Sequence, residues 1–122
     1  MAKATDRRKA KRVALFDDFH VLDAETGGLL GYIRDISSQG MRIVGTVAPI
    51  IDREYRIAIL PPEPIVGQTI IQLEATCRWH TTDVQRGLHS SGFQFGELPQ
   101  VENHLIEQIQ IEYEFSVSEC GL

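Results

Sequence analysis

Residues 70–80 carry the clearest pattern in the chain. Ile71, Leu73, Ala75, Cys77 and Trp79 fall on one face, and Gln72, Glu74, Thr76, Arg78 and His80 on the other. A sustained period of two predicts a long strand with one buried side. Glu54 to Leu60 alternates in the same way, with Tyr55, Ile57 and Ile59 against Glu54 and Arg56. Phe19 to Asp23, Leu29 to Ile36, Met41 to Val44 and residues 87–96 read as further strands, the second of ambiguous inward parity. In the last of them Phe93 and Phe95 share a side, and Gly87 and Gly92 permit bends or bulges. Turn signals separate these runs at Glu25-Thr26-Gly27-Gly28, at Asp35 to Gly40 and at Pro61-Pro62-Glu63-Pro64. After Pro99 the period changes. Val101, Leu105 and Ile109 are four apart, with Glu102, Asn103, Glu107 and Gln110 between them, as in an amphipathic helix. Its end is open, because Ile109, Ile111, Tyr113 and Phe115 also alternate by two. Six short strands and one helix predict a mainly β fold, a small antiparallel barrel with the helix over an opening or a flank.

A length of 122 residues suits one domain. Hydrophobic residues at 43% and charged residues at 24% are ordinary for a globular chain. No apolar run approaches the roughly 20 residues of a membrane helix, and no apolar segment of a signal peptide follows the basic start. The two cysteines, Cys77 and Cys120, make no disulfide framework. A reducing, cytoplasmic setting is expected. The formal net charge of −5 conceals an asymmetry. Lys3, Arg7, Arg8, Lys9, Lys11 and Arg12 crowd the first twelve residues against Asp6 alone, whereas the rest of the chain is acidic. Charge alone leaves two meanings for this arm: a contact for an anionic partner, or a solvated tail. The expected organisation is a flexible basic arm over 1–12, a barrel with its helix over 13–116 and a tail over 117–122.

Two motifs change the picture. The arm contains Arg8-x-x-x-Arg12, and Asp35-Ile36-Ser37-Ser38-Gln39-Gly40 has the form D-x-S-x-x-G ahead of a strand. Each is weak alone: the first occurs in any basic arm, and the second also describes a capped turn. In this order, and with β-patterned sequence and a terminal helix after them, they resemble the PilZ domain, a bacterial receptor module for the second messenger cyclic di-GMP. The resemblance implies a six-stranded antiparallel split barrel with a C-terminal helix. It also implies a ligand site. Arginine supplies fixed charge and a planar fork that grips phosphate and stacks on or reads guanine. Arg8 and Arg12 match the two family arginines, and Arg7 matches an upstream position that in the family accompanies two stacked ligand molecules. Asp35 is implied to accept from the guanine N1–H and N2–H₂ edge. Ser37 is implied to meet a ligand polar atom or cap the turn. Gly40 tolerates positive φ and lets backbone approach ligand. Family members often carry an aromatic or polar residue bordering the ligand near Trp79. The alternation instead assigns Trp79 to the core.

The resemblance implies a receptor that signals in trans, by ordering its arm, to an unidentified protein of motility, exopolysaccharide or adhesion machinery. The alternative is a ligand-free PilZ-like protein–protein interaction module. The acidic body argues against nucleic acid. His20, His80, His89 and His104 show no metal-ligand spacing and join no nucleophilic arrangement, so neither a metal, a cofactor nor an enzymatic activity is expected. His80 and His89 lie on neighbouring expected strands and are read as two surface imidazoles.

Overall fold

The structure, a computed structural model, describes residues 11–120, the side chains of 115–120 excepted. Seven strands precede one helix: β1 (Val13–Ala14), β2 (His20–Asp23), β3 (Leu29–Ile36), β4 (Gly40–Gly45), β5 (Glu54–Leu60), β6 (Ile71–Asp83), β7 (Leu88–Phe95) and α1 (Gln100–Cys120). All pairings are antiparallel. The sheet runs β1-β3-β2-β5-β6-β7-β4, and β3 also pairs with β4, which closes six strands into the expected barrel. The added strand, β1, sits opposite the end of β3, with Val13 against Ile36 and Ala14 against Asp35. It occupies the same edge of β3 as β2, because β4 holds the other edge.

The barrel interior is aliphatic and aromatic. Phe19, Val21, Ile33, Ile36, Ile43, Ile57, Ile59, Ile71, Cys77 and Phe93 are buried there. One end is covered by α1, whose Leu105, Ile106 and Ile109 are buried and whose Tyr113 meets Phe19 edge to face at 4.8 Å. Burying such side chains contributes about 1.5–3 kcal/mol each, which explains why the helix runs on through the alternating stretch rather than ending as a strand. Glu102 stands in the first turn, where the helix dipole favours negative charge. The helix continues to Cys120, into residues expected as a tail. The four-residue spacing misplaces one residue: Val101 is 64% exposed, since the buried stripe starts a turn later at Leu105.

Turns are closed by local polar contacts. The Asp23 carboxylate accepts from the Glu25 amide at 2.9 Å, an Asx-type turn ahead of Gly27. In the D-x-S-x-x-G turn, the Ser37 amide donates to the Gly40 carbonyl at 2.8 Å, and the Gln39 amide donates to Ser37 Oγ at 3.2 Å. Gly40 does not use positive φ. Its glycine identity is explained by packing, because a Cβ there would lie 2.3 Å from the Phe93 carbonyl oxygen. The close approach seen at Gly40 is therefore between β4 and β7.

Gly40→Ala is expected to cost roughly 1–3 kcal/mol, because the obstructing atom is backbone and cannot swing away. Gly96→Ala, where a Cβ meets only ordinary contact at 3.7 Å, is expected to stay within about 0.5 kcal/mol. Urea denaturation of both variants checks the contrast.

Candidate functional site

Two β-bulges shape the outer face of the barrel. In the β3–β4 ladder Ile33 opposes Ile43 and Asp35 opposes Arg42, so Arg34 is an extra residue. In the β6–β7 ladder Cys77 opposes Phe93 and Trp79 opposes Gly92, so Arg78 is extra. A bulge inserts one residue and reverses the parity of the residues beyond it. Asp35, which strict alternation would align with buried Ile33, is thus turned outward, while Ile36 returns to the core. Trp79, which alternation would align with buried Cys77, is turned out as well and is 42% exposed. This corrects the core assignment of Trp79. It also explains why the parity of Leu29–Ile36 is ambiguous in sequence.

Asp35 is the junction of the two motifs. Its carboxylate accepts from Arg12 Nη1 at 2.6 Å and from Arg42 Nε at 2.8 Å, and its side chain is only 14% exposed. Arg12 therefore reaches from the arm to the D-x-S-x-x-G segment. Arg7 and Arg8 lie outside the described residues. Next to Arg12, the Lys11 ammonium pairs with Glu114 at 2.8 Å and the Lys11 carbonyl accepts from Gln110 Nε2 at 3.0 Å. The base of the arm is tied both to Asp35 and to α1.

Trp79 lies flat over a gap left by Gly92. A Cβ on Gly92 would stand 2.1 Å from the indole nitrogen. Beside it, Arg78 Nε donates to Gln94 at 2.8 Å, and its Nη1 lies 3.4 Å from Asp52. Arg12, Asp35, Arg42, Arg78 and Trp79 all line one open cavity of about 420 Å³, with Gly40 at its floor. That volume lies within the range of small-ligand sites. Three guanidinium groups, one carboxylate and one indole face can together take an anion and a planar heterocycle. Ser37 is 1% exposed, and its hydroxyl lies 3.4 Å from the Gly40 carbonyl, so it caps the turn from within and does not line the cavity.

Arg42, Arg78 and Gln94 escaped the motif reading. Arg42 stands two residues after Gly40, and Arg78 and Gln94 hold outward positions of β6 and β7. A signal existed only in their outward parity, which many solvated residues share. Cys77 is buried beneath this surface. Burial pushes its thiol pKa up, a backbone hydrogen bond at Trp79 opposes this, and the Asp52 charge adds a smaller upward push. A protonated, enclosed thiol is a poor nucleophile. Among the described residues no group of three or more His, Cys, Asp or Glu side chains is placed to hold a metal ion, and no helix is long and apolar enough to cross a membrane.

The cavity, lined by guanidiniums, a carboxylate and an indole, lies on the outside of a small closed barrel. The PilZ domain family matches residues 6–110, and the chain belongs to that family. The fold is similar to the PilZ domain with c-di-GMP of YcgR from Escherichia coli, at a TM-score of 0.66 and 15% identity over 94% of this chain and 97% of that one. It is similar to the K. pneumonia MrkH–c-di-GMP complex, at 0.73 and 16% over 93% of this chain and 55% of that one. It also resembles the Bacillus subtilis inhibitor of motility MotI/DgrA, at 0.65 and 19% over 90% and 52%. The chain thus spans about half the length of MotI and MrkH. No curated protein matches its sequence.

Because the clash at Gly92 is with a side chain that can swing, Gly92→Ala is expected to change stability by less than about 1 kcal/mol while lifting the indole off the sheet. Trp79 is the single tryptophan, so a red-shifted emission with an unchanged urea midpoint checks the arrangement.

Proposed function

We propose that the protein is a bacterial, cytoplasmic receptor for cyclic di-GMP that acts by binding rather than by catalysis. The observation that carries this reading is the contact of Arg12 with Asp35, which joins the R-x-x-x-R arm to the D-x-S-x-x-G turn at the rim of the cavity. YcgR and MrkH, similar in fold, form complexes with c-di-GMP.

In this reading Asp35 accepts from the N1–H and N2–H₂ edge of a guanine, and Arg42 holds the carboxylate in place while it does so. Arg12 and Arg8 bind phosphate or the O6/N7 edge, and Arg7 serves a second, stacked ligand molecule. Trp79 offers an apolar face to a base or ribose. Ser37 and Gly40 act through the turn: the buried hydroxyl fixes its shape and the missing Cβ lets β4 sit against β7. Before ligand arrives, Arg12 occupies Asp35. That exposed pair is worth about 0–1 kcal/mol, whereas a charge-assisted hydrogen bond to ligand contributes roughly 1.5–3 kcal/mol. Exchange of partners therefore favours the complex, with ordering of the arm opposing it. Micromolar affinity needs about 8 kcal/mol in total, which three or four such contacts supply after that cost. Since the arm is anchored to α1 through Lys11, an ordered arm changes the surface at the helix, and a downstream protein partner reads that change.

Calorimetry with cyclic di-GMP is expected to give selective binding near micromolar, with GTP and cyclic di-AMP inactive. Arg8→Ala, Arg12→Ala and Asp35→Ala are each expected to weaken it roughly ten- to hundredfold, one lost charge-assisted bond apiece. A stoichiometry of two ligands per chain supports the role of Arg7. Equal affinity in all three variants refutes the site. Absence of heat at several temperatures leaves a protein-docking module of the same fold.

A further inference from the structure

Beyond Trp79, the β6–β7 hairpin continues past the end of β5, which pairs with β6 only as far as Thr76. On one face of this extension three polar atoms form a nearly equilateral triangle. His80 Nε2 and His89 Nδ1 are 3.2 Å apart, Thr82 Oγ1 is 3.3 Å from His80 Nε2, and Thr82 Oγ1 is 3.1 Å from His89 Nδ1. The register explains the meeting: Thr82 opposes His89 directly, and His80 is its same-face neighbour on β6. The two rings are tilted, 5.2 Å between centroids. None of the three side chains lines the cavity at Asp35.

Hydrogen bonds can span only two of the triangle's three edges. A neutral imidazole presents one N–H and one lone pair, and a hydroxyl has one hydrogen. If one facing nitrogen carries a hydrogen, two hydrogens serve three contacts. If neither does, one hydrogen serves three. If both do, the two N–H groups oppose each other. A cation satisfies all three atoms at once. Ligands about 2.0–2.1 Å from a tetrahedral zinc ion are separated by about 3.3 Å, and the three edges match that spacing.

We propose that His80, His89 and Thr82 form a binding site for a first-row divalent ion of the zinc type. His80 binds through Nε2 and His89 through Nδ1, each with its proton on the other ring nitrogen. The Thr82 hydroxyl is the third, weaker donor, and water completes the shell. Two imidazoles favour zinc, copper or nickel over magnesium or calcium, which prefer all-oxygen shells. With two strong ligands the site is weaker than a structural zinc site, and it clips β6 to β7 where β5 gives no support.

The test is titration of the full chain with ZnCl₂, read by long-range ¹H–¹⁵N spectra of the imidazoles and by thermal unfolding. Saturable shifts confined to His80 and His89, one ion per chain and a raised Tm are expected. MgCl₂ is expected to produce none of these. His89→Gln keeps a polar side chain at the position and is expected to abolish both the shifts at His80 and the rise in Tm. The proposal is overturned if His80 and His89 do not respond at millimolar zinc. It is equally overturned if His20 and His104 shift alongside them, or if His89→Gln binds as tightly as the parent. The outcome is independent of cyclic di-GMP, so failure here leaves the receptor reading untouched.

Discussion

The candidate site depends on a constraint of β geometry: a strand that buries one face cannot also present consecutive functional side chains outward unless a residue is inserted. The bulges at Arg34 and Arg78 are those insertions. The first leaves buried residues on both sides, Ile33 and Ile36, and the second follows the last buried residue of its strand, Cys77. Between them they deliver a carboxylate and an indole to the same outer face. The glycines complete the surface from the opposing strands. Gly40 lets β4 approach β7, and Gly92 makes room for the indole of Trp79. With the same sequence in plain alternation, Asp35 would face inward and Ile36 outward, and Trp79 would face the core.

Much of the fold is legible from local pattern. Glu54–Leu60 occupies the strand its alternation predicts, Leu29–Ile36 is a strand over the expected bounds, and the period change after Pro99 marks the helix. Local pattern fails wherever the outcome depends on a partner strand. Trp79 reads as core because alternation runs unbroken to it, and the bulge that ends the alternation is visible only in the pairing with Gly92 and Phe93. The two-residue β1 is too short to show a period, yet it seats the base of the arm against β3. Val101 fits a four-residue spacing but stands before the helix reaches the barrel. In the site, Asp35 and Arg12 are recognisable by motif. Arg42 and Arg78 are not, because an outward arginine on a strand has the sequence signature of any solvated residue.

The electrostatics suit exchange rather than permanence. Asp35 is held between two guanidiniums, of which Arg42 belongs to the barrel and Arg12 to the arm. The barrel arginine orients the carboxylate, and the arm arginine is the more exposed of the two. Lys11 connects the same stretch of chain to Glu114 and Gln110 on α1. The residue that pairs with Asp35 thus adjoins one already attached to the helix.

The most direct test of the site is amide and indole chemical-shift mapping of the full chain with cyclic di-GMP. Shifts clustered at Arg12, Asp35, Gly40, Arg42 and the Trp79 indole, with the far end of the β6–β7 hairpin unchanged, are the predicted result. A ligand that binds but perturbs the groove between α1 and the Ser38 turn instead, leaving Asp35 and Trp79 still, contradicts it.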